Sequence, residues 1–290
     1  MNEDVQLGLC TPTEDMKYFY RNGLKDELLF VHYGHGVIET IFGEMAFRPG
    51  DYIVIPIGTT YRIRLEGESN HRFLVLESNS RIETPKRYRN EYGQLLEHSP
   101  FNERDIRTPE KLNTYVEKGD YEVIVNIDNE LTSFKYEYHP FDVVGWDGYL
   151  FPWILNIDDF EPITGSIHQP PPVHQTFSGH NFVVCSFVPR LFDYHPEAIP
   201  APYAHSNVNS DEVLYYVEGN FMSRKGVDEG SFTLHPSGIP HGPHPGTIEA
   251  SIGKKETHEL AVMVDTFRPL RVTNFALSFE DSSYMDSWNE

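Results

Sequence analysis

Two stretches of this chain carry one pattern in the same order, and that repetition narrows the available folds more than any other feature. Residues 20–34, YRNGLKDELLFVHYG, lie over residues 205–219, HSNVNSDEVLYYVEG, without a gap. Asn22 meets Asn207, Asp26 meets Asp211, Glu27 meets Glu212 and Gly34 meets Gly219. Downstream, GDYIVIPIGTTY at 50–61 and GSFTLHPSGIPH at 230–241 share a glycine, five residues, a proline, one residue and a glycine. Matched blocks in matched order indicate a duplicated module. The blocks are strand-like, β-branched or aromatic runs bounded by Gly, Pro, Asn or Asp, and similar runs recur at 121–127, 181–188 and 260–267. Within each turn, Pro56 and Gly58, like Pro236 and Gly238, occupy the spacing of a type I turn with proline second and glycine fourth.

The fold this predicts is all-β: two double-stranded β-helix (jelly-roll) barrels, a bicupin, with long irregular connections. The expected division is an N-terminal barrel over 1–80, a connection with shared β structure over 81–175, and a C-terminal barrel over 176–290. From about 80 to 120 the composition is polar and charged, with one helical turn predicted around EYGQLLEH (91–98). The proline-rich stretch 147–175 is irregular, and loops of that length in a compact protein commonly carry function. The last residues, EDSSYMDSWNE, read as a solvated tail.

Charge and cysteine content exclude several partners. A formal net charge of −21 repels nucleic acid and anionic membrane at long range. No apolar run approaches the roughly 20 residues of a membrane-spanning helix, and MNEDVQLGLC is not a signal peptide. The two cysteines, Cys10 and Cys185, have no metal or redox spacing and read as small apolar residues, which places the chain in a reducing cytoplasm.

The chemistry resides in the second copy. It reads His205-x-Asn207, four residues, Glu212, six residues, Gly219; then Gly230, five residues, Pro236-x-Gly238, two residues, His241. These blocks resemble the two cupin motifs, with Asn207 in place of the second histidine of the first motif. Two imidazoles and one carboxylate form a facial triad suited to Fe(II), with coordination positions left open, although zinc and manganese accept the same donors. A divalent ion so bound retains about one positive charge, which favours an anionic or phenolate ligand. In the first copy the equivalent residues are Tyr20, Glu27 and Tyr61, so both imidazoles are missing and that barrel reads as scaffold.

Three segments, FDVVGWDG (141–148), HSNVNSDE (205–212) and LHPSGIPHGP (234–243), resemble the homogentisate 1,2-dioxygenase family, Fe(II) enzymes that open the ring of 2,5-dihydroxyphenylacetate. Segments 18–22 and 48–62 are similar to its bacterial branch. The resemblance implies iron (Fe2+) on His205, Glu212 and His241, with a small aromatic acid and O2 as ligands and a trimer or hexamer as the assembly. It implies a substrate pocket lined by Tyr203, Asn207, His235 and His241, with His235 lying behind the metal ligands. It also implies a catalytic loop histidine that handles the ring-hydroxyl proton. His168 matches that position across a gap, and His174 is the alternative. Phe221 stands where the family has a tyrosine, which opens the choice of substrate to relatives such as gentisate. A non-enzymatic ligand-binding bicupin is the competing class. His180, His195, His244 and His258 read as surface or outer residues, and Arg190, Arg224 and Lys225 as solvated charges able to meet a carboxylate.

Overall fold

Asp26 and Asp211 explain why the repeated blocks fold alike. Both are buried. Asp26 accepts the Ile57 N–H at 2.8 Å through Oδ1 and the Ile82 N–H at 3.0 Å through Oδ2. Asp211 does the same for Ser237 at 2.8 Å and Leu270 at 2.7 Å. In each copy one carboxylate thereby ties the tight turn to the segment leaving the sheet, and charge-assisted bonds of this kind are the stronger ones.

The strand registers repeat as well. Asp26–Tyr33 pairs antiparallel with Asp51–Ile55 and Arg72–Ser78, placing Glu27 opposite Ile55 and Glu77. Asp211–Glu218 pairs antiparallel with Phe232–His235 and Leu260–Thr266, placing Glu212 opposite His235 and Asp265. The strands predicted at 121–127, 181–188 and 260–267 form as Lys118–Ile127, Phe182–Phe187 and Leu260–Thr266.

The turn itself differs from the expected type I. The Gly58 N–H is taken by the Asn22 carbonyl at 2.9 Å, and the Gly238 N–H by the Asn207 carbonyl at 2.7 Å. The turns close one residue later, Thr59 N–H to Pro56 O and Ile239 N–H to Pro236 O, both at 3.2 Å. Glycine therefore sits third, with φ of 78° and 79°, the conformation of a type II turn.

The computed structural model describes residues 1–67, 70–142, 149–167, 174–219, 221 and 226–288, and these form two compact units. The N-terminal unit comprises Val5–Ile82 and Phe101–Asp159. One of its sheets runs Val5–Cys10, Arg72–Ser78, Asp26–Tyr33, Asp51–Ile55, Trp153–Asn156, Ile106–Arg107. The other runs Glu130–Tyr138, Lys118–Ile127, Phe19–Asn22, Thr60–Glu66, His35–Thr40, Gly43–Phe47. Val31, Ile38, Ile53, Ile55, Phe73 and Ile154 belong to its buried core.

The C-terminal unit comprises Met1–Asp4, Glu83–Pro100 and Phe160–Glu290. The stretch 81–175, expected as one connection, is thus divided between the units, and boundaries at 80 and 175 do not describe them. No helix forms over 91–98: the Asn90 side chain accepts the Tyr92 and Gln94 N–H groups, and Gly93 has φ of 85°. Local side-chain bonding of this kind competes with helix.

The main sheet of the C-terminal unit runs Gln175–Gly179, Phe182–Phe187, Leu260–Thr266, Asp211–Glu218, Phe232–His235. A short pair joins Arg190–Leu191 to Glu256–Thr257. In the N-terminal unit Tyr20 faces Tyr61 within an extended sheet. The equivalent residues here, His205 and His241, meet in an isolated antiparallel bridge. Pro200, Pro202, Pro236, Pro240, Pro243 and Pro245 flank it, and proline cannot donate to a ladder. The backbone beside the bridge is free to shape a cavity. Among the described residues no helix is long and apolar enough to cross a membrane.

The position of the missing metal site in the N-terminal unit holds a buried carboxyl instead. Burial, with the Glu77 carboxylate beside it, pushes Glu27 up to about 8 against the hydrogen bonds of Tyr61 and Asn22. The unfolded chain releases this proton near the ordinary carboxyl value, so the contribution to stability falls as pH rises from about 4.5 to about 8. Glu27→Gln, which mimics the protonated form, should gain on wild type by on the order of 4 kcal/mol between pH 5 and pH 9. Chemical denaturation of both proteins at the two pH values measures this. An unchanged difference would show that Glu27 is not protonated in the folded state.

Candidate metal centre and its cavity

Two backbone bonds, His205 N–H to His241 O at 2.9 Å and His241 N–H to His205 O at 2.8 Å, bring the two histidines face to face. Each ring is then oriented through Nδ1: His205 bonds the Tyr203 carbonyl at 3.1 Å and His241 the Ile239 carbonyl at 3.0 Å. A protonated Nδ1 donating to a carbonyl leaves Nε2 as the free lone pair, the tautomer a metal requires. Glu212 projects from the adjoining strand, and one ligand atom from each of the three residues lies within 4.8 Å of the others. Glu212 and His241 are buried, and His205 is half-buried.

The site carries the marks of a cation position. Burial opposes ionisation of Glu212, but the hydrogen bond to His235 and the nearby His235 and His241 imidazoles outweigh it and hold the carboxyl at about 2. Burial likewise opposes protonation of His241, and Glu212 overcomes it and moves the imidazole upward. His241 Nε2, 3.4 Å from Glu212 Oε1, has no hydrogen-bond partner among the described residues. Asp265 Oδ1 is also buried without one, and burial beside the Glu212 charge pushes its carboxyl up to about 7. Unsatisfied buried donors and acceptors are costly, and a divalent ion between Nε2 atoms and carboxylate relieves that cost. Two imidazoles, one carboxylate and a second carboxylate behind them fit such an ion.

Outer contacts orient the carboxylate. Asn207 Nδ2 donates to Glu212 Oε2 at 3.1 Å, and Asn207 is not among the described residues lining the cavity. His235 Nδ1 bonds Glu212 Oε1 at 2.9 Å, and its Nε2 bonds the Tyr284 hydroxyl at 3.0 Å. His235 also stacks on His241, with centroids 4.3 Å apart and planes at 12°. Tyr284 lies in the segment expected to be a solvated tail; the tail instead reaches back to the site.

The triad opens into a cavity of about 630 Å³ within the C-terminal unit. Tyr203, exposed at the rim, packs edge-on to His205 with centroids 5.5 Å apart. Phe221 lines the wall edge-on to Tyr216, with centroids 4.5 Å apart. His174 is buried on the wall, stacked against Phe187 at 4.9 Å. His195 also borders the cavity, while His180 and His258 are exposed. Arg190, expected as solvated charge, is half-buried in the wall. His168, Arg224, Lys225 and most of the 141–148 motif lie outside the described residues. Cys185 is buried, and that burial pushes its thiol up; Cys10 is exposed.

Tyr284→Phe should weaken divalent-metal affinity about tenfold without changing stoichiometry, the usual scale for loss of an outer partner. His205→Ala should abolish the site. Anaerobic chelator competition reads both, and identical affinities in wild type and Tyr284→Phe would remove Tyr284 from the site.

Comparison with known proteins agrees with this geometry. Residues 4–157 match the family description "Homogentisate 1,2-dioxygenase N-terminal" and residues 155–290 match "Homogentisate 1,2-dioxygenase C-terminal". The chain is 46% identical over 276 residues to a Saccharolobus solfataricus protein named "Putative dioxygenase", covering 94% of this chain and 71% of that protein. It is 26% identical over 306 residues to homogentisate 1,2-dioxygenase of Mus musculus, covering 98% of this chain and 66% of the mouse protein. Against the Rhodopseudomonas palustris (strain BisA53) enzyme the identity is 27% over 295 residues, 94% of this chain and 63% of that one. The chain therefore spans about two thirds of the length of these homogentisate dioxygenases. A solved structure, a cupin 2 conserved barrel domain protein from Leptotrichia buccalis, is similar at TM-score 0.39 and 11% identity, over 92% of this chain and 86% of that one. With both halves matched and the His205, Glu212 and His241 donors assembled at one cavity, this chain belongs to the homogentisate 1,2-dioxygenase family.

Proposed function

We propose that the chain is an Fe(II)-dependent ring-cleaving dioxygenase of a dihydroxyphenyl acid, with homogentisate and O2 as substrates and maleylacetoacetate as product. The observation that carries this reading is two imidazoles and one carboxylate brought within 4.8 Å of one another on the wall of a largely apolar cavity. Iron bound there would supply O2 activation and a Lewis acid for a ring oxygen. His205 and His241 would hold it through Nε2, with Glu212 as the anionic donor. Asn207 and His235 each bond one oxygen of Glu212 and so orient the carboxylate.

A ring hydroxyl that binds as phenolate must lose its proton to a nearby base. His174, buried on the cavity wall, is one candidate for that base. His168 retains the same candidacy from the family resemblance. Tyr203 borders the entrance for the ring. Phe221 offers a hydrocarbon face where the family has a hydroxyl, which favours testing gentisate beside homogentisate. The same reading puts the enzyme in aromatic amino-acid breakdown in the cytoplasm, as a trimer or hexamer whose mass light scattering would give.

Oxygen consumption by the Fe(II)-reconstituted protein tests the proposal across a panel of dihydroxyphenyl acids. Uptake of one O2 per homogentisate or gentisate is expected, with loss of activity in Glu212→Gln. His174→Gln should lower turnover about 100-fold or more and remove the dependence on a group titrating near neutrality. A similar loss in His168→Gln with His174→Gln unaffected would transfer the role to His168. Iron binding without O2 uptake on any panel member would overturn the dioxygenase reading in favour of a ligand-binding bicupin.

A further inference from the structure

The cavity wall contains one permanent cation among its described residues, Arg190. Its backbone is held by the short strand pair Arg190–Leu191 with Glu256–Thr257, so its position is set by the fold and not by a free loop. The side chain is half-buried. Burial pulls its pKa below the usual guanidinium value, against the opposing pull of the Asp193 and Glu259 charges. Guanidinium nevertheless stays charged in proteins.

Asp193 and Glu259 also line the cavity, and among the described residues they act on Arg190 through their charge, without a side-chain hydrogen bond to it. The arginine is thus electrostatically compensated without being paired. A structural arginine at such depth would be expected to close a bidentate pair with one of these acids. An arginine kept unpaired in a ligand cavity retains its planar set of donors for something that enters. The surroundings restrict what that is. Phe187, Phe192, Leu214, Ala261 and Met263 supply apolar wall. Their arrangement suits an aromatic ring carrying one anionic group.

We infer that Arg190 is the carboxylate-binding residue of the substrate site, pairing with the acid side arm of an aryl acid whose ring oxygen faces His205, Glu212 and His241. This rests on the dioxygenase reading for its ring end only. The carboxylate subsite concerns binding and not oxygen chemistry. With a strongly acidic protein around it, the subsite supplies the positive charge by which this cavity accepts an anion.

The test compares two ligands on the Fe(II)-loaded protein without oxygen: homogentisate and its neutral amide, 2,5-dihydroxyphenylacetamide. Wild type should bind the acid about 10- to 100-fold more tightly, the range of a charge-assisted pair. In Arg190→Met the two ligands should bind within about twofold of each other, and Arg190→Lys should retain part of the preference. Arg190→Gln provides the same comparison if the methionine variant misfolds, with iron stoichiometry as the check on fold. Retention of the full preference in Arg190→Met or Arg190→Gln overturns the assignment. So does wild type that fails to prefer the acid. Loss of discrimination together with absent O2 uptake would uphold the carboxylate subsite while the ring-cleavage reading fails.

Discussion

The His205–His241 bridge is the constraint on which the site depends. Two backbone hydrogen bonds fix the separation of the histidines, and two further bonds from their Nδ1 atoms to neighbouring carbonyls fix the ring faces. Stacking of His235 on His241 and edge-on packing of Tyr203 on His205 support the same ring positions. Glu212 then enters from the main sheet, where its register opposite His235 and Asp265 is set by strand pairing. The geometry is local on one side and sheet-determined on the other. This is how an irregular, proline-interrupted rim can still present ligands at defined positions.

The N-terminal unit shows what the same framework does without imidazole. Tyr20 and Tyr61 occupy the bridge positions, with ring centroids 5.5 Å apart, and Glu27 stands where Glu212 does. Asn22 Nδ2 donates to Glu77 Oε1 at 2.7 Å, and Tyr61 bonds Glu27. The two units respond oppositely to one buried glutamate. Beside two histidines its carboxyl is held at about 2; where burial and a second carboxylate outweigh the Tyr61 hydrogen bond it rises to about 8. A low-pKa carboxylate is a metal ligand at neutral pH, and a protonated one is a hydrogen-bonding core residue. The contrast accompanies tyrosine in place of histidine at the bridge, and Ile55 and Glu77 in place of His235 and Asp265 opposite the glutamate.

Much of this was legible in the sequence because it is short-range. Ligand identity, their spacing and the duplication all fall within motifs that a strand and a turn span. The turn type was not legible, because the glycine N–H that would have closed a type I turn is taken by the distant Asn22 or Asn207 carbonyl, and the turn closes one residue later. The helical turn expected at 91–98 lost to the Asn90 side chain, which accepts the Tyr92 and Gln94 N–H groups. Tyr284 carried no periodic signal and meets His235 from 49 residues away. Asp265 sits in an apolar strand run, where only cross-strand register reveals that it faces Glu212. Arg190 was read as surface charge because sequence does not report burial.

Crystallography of the Fe(II)-loaded protein at the iron absorption edge tests the central claim most directly. The account predicts one anomalous peak per chain, bonded to His205 Nε2, Glu212 and His241 Nε2, and none between Tyr20, Glu27 and Tyr61. Iron at the N-terminal position, or iron distributed over surface carboxylates with the C-terminal triad empty, would contradict it.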